Sequence, residues 1–191
     1  MDSKPEYDLV EVFWSAQGEG PYVGRSTIFL RFGGCDLRCD WCDSPETWVA
    51  RKECRIESAP GSGRFSVEPN PVSHERLAQV LASLAPRPGS FLSLTGGEPL
   101  LHPLGVIGAA RIARELGMRV FLETHGLARD AMTEVAPSVD YVSMDWKLES
   151  DVRWADAEPS KARPSSFEDG HVAFLDLLVA QGVAALSLIH I

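Results

Sequence analysis

Short apolar runs alternate with amphipathic segments along most of this chain. Four of the runs predict buried strands, because each is five to seven residues long and ends at glycine or polar residues: residues 26–32, 91–95, 119–123 and 141–145. The residues before the first strand are interpreted as a short polar lead, and residues 51–71, rich in Gly, Pro, Ser and charge, as a long loop or insertion.

The segments between the strands have helical periodicity. Ser73 is placed to cap a helix over residues 74–85, whose buried face is predicted to be Leu77, Val80, Leu81 and Leu84. Further helices are predicted over residues 103–116, 130–135 and 171–181, and Gly182 ends the last one before a short fifth strand. This alternation predicts a single α/β domain with a parallel sheet, built as a partial (β/α) TIM-like barrel.

An unusual polar cluster follows each of the four strands directly: CDLRCDWC, TGGEP, ETHG and SMDWK. In a (β/α) barrel the carboxyl ends of the strands share one rim, and active sites lie there. We therefore expect the four clusters to converge in space. No G-x-G-x-x-G follows the first strand, so a dinucleotide-binding fold is not indicated.

Composition narrows the classes of function. The 191 residues are 45% hydrophobic and carry a formal net charge of −9. The negative charge argues against a nucleic-acid-binding surface, because phosphates are bound by Lys and Arg. Neither a signal peptide nor an apolar run long enough to span a membrane is visible, so we expect a cytoplasmic protein without a membrane partner. In that compartment, grouped cysteines indicate metal or redox chemistry more often than disulfides.

Three of the four cysteines, Cys35, Cys39 and Cys42, follow the first strand with spacing C-x3-C-x2-C. Thiolates suit zinc or iron–sulfur clusters, and three of them leave one iron of a [4Fe–4S] cluster open for chemistry. The alternative is a small zinc-binding adaptor whose fourth ligand is Cys54 or His74. Neither of those residues has a partner at metal-binding spacing, so we favour the cluster.

The cysteine spacing with Trp41 inside it, followed one strand later by GGEP, resembles the radical S-adenosylmethionine superfamily. The resemblance implies that the three cysteines hold a [4Fe–4S] cluster and that S-adenosylmethionine chelates the fourth iron and is cleaved reductively to a radical. A reductant such as flavodoxin or ferredoxin is then a partner. The implied cofactor-binding residues are Trp41, Gly96, Gly97, Glu98, Glu123 and Ser143.

Within that superfamily, QGEG upstream of GGCDLRCDWCDS resembles the 7-carboxy-7-deazaguanine synthase family of queuosine biosynthesis. The resemblance implies a carbon–nitrogen lyase that contracts the ring of 6-carboxy-5,6,7,8-tetrahydropterin with loss of ammonia, and a homodimer. By resemblance, Gln17, Glu19 and Arg31 hold the pterin, and Ser44, where Thr is usual, binds Mg2+. A radical activase of a glycyl-radical enzyme shares the cysteine loop but is expected to lack QGEG. If these residues bind no ligand, QGEG is a solvated hairpin turn and Arg31 forms an ion pair at the end of its strand.

Several residues depart from the family pattern or have no assigned role. Asp36 stands where Asn is usual, and His125 stands where Ser or Asn is usual. Asp145 and Lys147 are interpreted either as ligand contacts or as a salt bridge at the rim. The chain ends soon after the fourth predicted helix, and residues 186–191 resemble a translated sequencing adapter. We interpret them as a non-native tail of a truncated gene, in which His190 is not a family residue.

Overall fold

Strands and helices alternate through the computed structural model, which describes residues 5–85, 89–155 and 163–189. The strands are β1 (Leu9–Ala16), β2 (Ser26–Phe32), β3 (Leu37–Cys39), β4 (Glu53–Glu57), β5 (Phe65–Pro69), β6 (Phe91–Gly96), β7 (Arg119–Thr124), β8 (Tyr141–Trp146), β9 (Val152–Trp154) and β10 (Ala184–Ile189). The helices are α1 (His74–Leu84), α2 (Pro103–Glu115), α3 (Arg129–Val135) and α4 (Phe167–Gln181). None of these helices is long and apolar enough to cross a membrane.

Eight of the strands form one sheet in the order β10-β8-β7-β6-β2-β1-β4-β5. The run from β10 to β2 is parallel throughout, so five strands direct their carboxyl ends to one edge of the sheet. Because β10 and β5 each have one sheet neighbour among the described residues, the sheet is open. The α/β class and the parallel sheet of a partial barrel are confirmed.

The helices pack the faces that their sequence periodicity indicates. All four leucine and valine positions predicted for α1 are buried, and the Ser73 hydroxyl accepts a hydrogen bond from the Arg76 amide as an N-cap. The last helix begins at Phe167, a turn before its predicted start, because Ser166 caps it. It ends as predicted at Gly182, whose φ of 67° favours glycine.

The predictions of a polar lead and of a long loop over residues 51–71 are wrong. The lead contains β1, which pairs antiparallel with β2, and residues 51–71 contain the hairpin of β4 and β5. The hairpin belongs to the sheet because β4 pairs with β1 and directs Cys54 and Ile56 into the core. The buried Glu57 carboxylate also accepts hydrogen bonds from the amides of Trp14 and Gly63.

The fifth predicted strand continues into the segment interpreted as a non-native tail. Residues 186–189 are the last four of the six residues of β10 and pair in parallel with β8. All six residues of β10 are partly or fully exposed, in keeping with its position at the sheet edge. His190 and Ile191 lie outside the described residues.

Candidate functional site

A cavity of about 550 Å3 opens at the edge where the parallel strands end. Because the loops after β2, β6, β7 and β8 all contribute to its wall, the predicted convergence of the four clusters is confirmed. Twelve of the thirteen predicted site residues line the cavity: Gln17, Glu19, Arg31, Cys35, Cys39, Trp41, Cys42, Ser44, Gly96, Gly97, Glu123 and Ser143. The exception is Glu98.

The cysteine loop, residues 33–44, is shaped by a two-stranded ribbon. Its strand β3 pairs antiparallel with β9, which lies more than a hundred residues later in the chain. The backbone amide of Asp40 also donates to the carbonyl of Asp151 at 2.9 Å. The ribbon places Cys35, Cys39 and Cys42 as free, partly exposed thiols along the cavity.

The surroundings of Cys35 and Cys39 favour the neutral thiol while no metal is bound. Burial raises the pKa of Cys35 to about 12, against the opposing effect of the Leu37 amide. Burial also raises the pKa of Cys39, although the nearby Lys147 ammonium lowers it. A metal must therefore displace protons from these thiols when it binds.

The zinc alternative lacks its predicted fourth ligand at the cavity. Within the described ranges, no three His, Cys, Asp or Glu side chains are placed to hold one metal ion. A zinc site needs its ligands to meet at one atom, whereas a cubane cluster takes each thiolate at a different iron. Cys54 lies in the hydrophobic core and His74 bonds to the Tyr7 hydroxyl at 2.7 Å, so neither is a fourth ligand at the cavity.

The glycines of GGEP allow the ends of β2 and β6 to approach closely. The amide of Gly97 donates to the Phe32 carbonyl at 3.1 Å, and the amide of Glu98 donates to the Gly34 carbonyl at 2.8 Å. A Cβ atom on Gly97 would overlap the Gly34 carbonyl oxygen. The GGEP turn is therefore fastened directly to the cysteine loop, and any side chain at Gly97 would separate them.

The carboxylate of Glu98 is fully buried behind the cavity wall. It accepts hydrogen bonds from the Leu100 amide at 2.9 Å, the Thr124 hydroxyl at 2.8 Å and the His125 amide at 2.9 Å. These bonds tie the end of β6 to the end of β7. The structure therefore gives the Glu98 side chain a bracing position outside the cavity lining.

The QGEG turn is held by the side chain of Gln17, which is buried and not solvated. The Gln17 carbonyl oxygen accepts from the amides of Gly18 at 2.8 Å and Glu19 at 3.1 Å, so this side chain shapes the turn. Its amide nitrogen donates to Glu123 at 3.5 Å, and Glu123 also accepts from the Ser93 hydroxyl at 2.6 Å. Gln17 and Glu123 thus connect the turn to β7 within the cavity.

Arg31 lies on β2 and faces its cross-strand neighbour Glu11 on β1. The Arg31 Nε donates to the Glu11 carboxylate at 3.1 Å, so the ion-pair interpretation of Arg31 is confirmed. Both side chains are about 20% exposed, and Arg31 lines the cavity. Since one guanidinium edge is taken by Glu11, the remaining N–H groups are the ones available to an anionic ligand.

Ser44 lies at the end of the cysteine loop, where it precedes a short 3-10 helix. Its hydroxyl donates to the Asp43 carboxylate at 2.9 Å, and both residues line the cavity. Two adjacent oxygen donors of this kind suit Mg2+. Asp43 was not among the predicted site residues, yet it lines the cavity beside Ser44.

The salt bridge predicted between Asp145 and Lys147 is confirmed, with 2.8 Å between the Lys147 Nζ and the carboxylate. Lys147 is nevertheless buried, lines the cavity and places its Nζ 4.4 Å from the centre of the Trp41 ring. This cation–π contact joins β8 to the cysteine loop. Sequence reasoning missed it because the two residues are far apart in the chain.

Comparisons with known proteins agree with this geometry. Residues 30–151 match the family model of the Radical SAM superfamily. A 7-carboxy-7-deazaguanine synthase from Thermococcus kodakarensis is 43% identical over 149 residues, covering 74% of this chain and 59% of the relative. One of the same name from Geobacter sulfurreducens is 38% identical over 178 residues, covering 92% of this chain and 66% of the relative.

The chain therefore spans 59 to 66% of the length of these two curated relatives. Among solved structures, QueE from Escherichia coli superposes with a TM-score of 0.54 at 18% sequence identity. That superposition covers 97% of this chain and 95% of the other. At this identity the likeness concerns the fold alone.

Proposed function

The chain belongs to the Radical SAM superfamily, and on that premise we propose that the whole protein is a 7-carboxy-7-deazaguanine synthase. The observation that carries the proposal is the meeting of the QGEG turn, the three-cysteine loop and the GGEP turn on one cavity. Curated relatives with this name at 38 to 43% identity support it. The reaction is that of a carbon–nitrogen lyase acting on 6-carboxy-5,6,7,8-tetrahydropterin.

Cys35, Cys39 and Cys42 would hold the [4Fe–4S] cluster, and the neighbouring GGEP turn would receive S-adenosylmethionine. When bound, the cluster and S-adenosylmethionine supply the one-electron chemistry that starts the reaction. The protein contributes a half-enclosed cavity and fixed polar groups around it. Its volume of about 550 Å3 lies within the range of roughly 300–1,000 Å3 typical of small-molecule sites.

Recognition of the pterin would rest on side chains from three strands. The free N–H groups of Arg31 suit the substrate carboxylate, because a guanidinium can bind both carboxylate oxygens at once. Glu11 holds the other edge of that guanidinium and so fixes its direction. Glu19 and Glu123 offer carboxylate oxygens, and Gln17 an amide, to the N–H groups of the pterin edge.

Mg2+ would bind at Ser44, with the adjacent Asp43 as a second oxygen donor and water or substrate oxygens completing the shell. The proposed partners are a flavodoxin or ferredoxin as reductant and a second copy of the chain in a homodimer. Both are expectations from the family resemblance, and neither changes the assignment of the cavity residues.

The decisive test is direct conversion. The chain is reconstituted anaerobically with iron and sulfide and incubated with 6-carboxy-5,6,7,8-tetrahydropterin, S-adenosylmethionine, Mg2+ and a reductant. Formation of 7-carboxy-7-deazaguanine, identified by mass spectrometry and abolished in Cys39→Ala, is the expected result. An intact cluster without this product, in this chain and in one extended to the length of its relatives, would defeat the specific assignment.

A further inference from the structure

His125 connects the end of β7 to the cysteine loop through a directed hydrogen bond. Its side chain is 5% exposed, and its Nδ1 accepts from the Leu127 amide at 3.1 Å. The proton of the neutral ring is therefore on Nε2, which lies 3.0 Å from the Asp36 carboxylate. Asp36 directly follows Cys35, so this bond holds the start of the loop.

Glu98 also holds His125 in place. Glu98 Oε2 accepts from the His125 amide at 2.9 Å and lies 3.4 Å from its Nε2. Because Glu98 is itself fixed by the Leu100 amide and the Thr124 hydroxyl, the imidazole has little freedom to turn. The hydrogen bond from His125 to Asp36 therefore connects the cysteine loop to a rigid part of the fold.

A second contact holds the far part of the loop. Lys147, fixed by Asp145, lies against the Trp41 ring between the second and third cysteines. His171 on α4 joins the two contacts, since its Nε2 lies 3.0 Å from the His125 carbonyl and 3.3 Å from the Lys147 amide. One tautomer of His171 donates to the carbonyl, and the other accepts from the amide.

We propose that His125 is a positioning residue that orders the cysteine loop through Asp36 before the cluster binds. The inference rests on the proposed cluster-binding role of this loop. Contacts outside the ligands of a metal centre typically set how firmly the ligands are held, and losing one costs roughly 10- to 100-fold in metal affinity. A pre-ordered loop presents its three thiols to the cluster without first having to fold around it.

Asparagine and glutamine at position 125 provide a matched pair of variants. Glutamine places its amide nitrogen near the position of the histidine Nε2 and can still donate to Asp36, whereas asparagine reaches only as far as Nδ1. In cluster-free, reduced protein, we expect His125→Asn to speed hydrogen–deuterium exchange of the amides in residues 35–44 by about tenfold or more. His125→Gln should restore exchange to within about twofold of the parent chain.

Arg153→Ala, on β9, is the control for a contact to the same loop. Arg153 pairs with Asp40 at 3.1 Å, but both side chains are about two-thirds exposed or more, so this loss should change exchange by less than about twofold. After reconstitution, His125→Asn should lose iron to a chelator about tenfold faster than His125→Gln. Relative to the parent chain, the electron paramagnetic resonance spectrum of the reduced cluster should change only in His125→Asn.

Equal exchange in His125→Asn and the parent chain, or a failure of glutamine to restore it, would overturn the inference. If His125→Asn does not fold, Asp36→Ala tests the same hydrogen bond by removing its partly exposed partner. The double variant His125→Gln/Asp36→Ala should then exchange no faster than Asp36→Ala alone. If exchange changes in His125→Asn but the parent chain forms no deazaguanine product, only the proposed function is refuted. If the product forms but exchange is unaltered in His125→Asn, only the inference about His125 is refuted.

Discussion

Single side chains at this site are fixed by neighbours that sequence reasoning did not pair with them. Arg31 was predicted for the substrate from resemblance, yet its orientation depends on Glu11 across the strand. Likewise, Asp36 and His125, which both depart from the family pattern, contact each other at 3.0 Å. The identities of such residues can be predicted from sequence, but their pairing depends on strand register and on side-chain direction.

Glu11→Ala tests the orientation of Arg31. Without its partner the guanidinium can turn away from the cavity, so we expect the KM for the pterin to rise by roughly tenfold with little change in kcat. Steady-state kinetics of the reconstituted protein measures both constants. Glu11→Gln keeps an acceptor oxygen and serves as the control, with a much smaller rise in KM. An unchanged KM in Glu11→Ala would show that Arg31 needs no such support.

Cys54 provides a pH prediction away from the cavity. Burial raises the pKa of this thiol to about 11 from an ordinary value of 9.0, with the Glu68 carboxylate adding to the rise. The folded chain thus keeps the proton while the unfolded chain loses it. The contribution of this thiol to stability is full below pH 9 and is lost as the pH rises toward 11.

Urea unfolding of the reduced parent chain and of Cys54→Ala at several pH values measures this effect. The free energy of unfolding should fall less steeply between pH 9 and 11 in the variant, because it lacks the buried thiol. Parallel curves for the two chains would contradict the prediction.

At the scale of elements, local pattern was a good guide to the parallel strands and to the helices, and a poor one to the remaining strands. β2, β6, β7 and β8 follow from continuous apolar runs, which suit strands covered on both faces. β4 and β5 lie in a stretch rich in Gly, Pro and charge and become strands because β1 offers them an edge. Pairing of β3 with β9 is equally invisible locally, since each has three residues and they are remote in sequence.

The N-cap of α1 is a testable element-level feature. Ser73→Ala removes the acceptor for the Arg76 amide and should cost about 1 kcal/mol of folding free energy. Chemical denaturation measures the loss. Ser83→Ala, on an exposed position of the same helix, should change stability by less than about 0.5 kcal/mol. Equal losses in both variants would argue against a specific capping role.

At the scale of the whole molecule, the sheet brings residues from Gln17 to Lys147 to one cavity. The parallel order of β2, β6, β7 and β8 makes this meeting predictable, because successive strand ends must be neighbours. The closure of the cysteine loop by β9, and the bracing of His125 by Glu98, depend on loop geometry that no local pattern encodes.

Cluster loading should stabilise the entire chain, because a ligand that binds only the folded form shifts unfolding by mass action. We expect the Tm of the anaerobically reconstituted protein to exceed that of the cluster-free protein by several degrees. Cys39→Ala should show no such rise. Cys54→Ala, which leaves the cavity intact, should keep it. A rise of equal size in Cys39→Ala would indicate iron bound elsewhere.

The ribbon of β3 and β9 also has a consequence for the timing of synthesis. The cysteines are translated early, but the strand that pairs with their loop follows about 110 residues later. At roughly 5 to 20 residues per second, the nascent loop waits on the order of 5 to 20 s for its partner. During that interval on the ribosome the loop lacks its pairing with β9, so we expect cluster delivery to follow the release of β9.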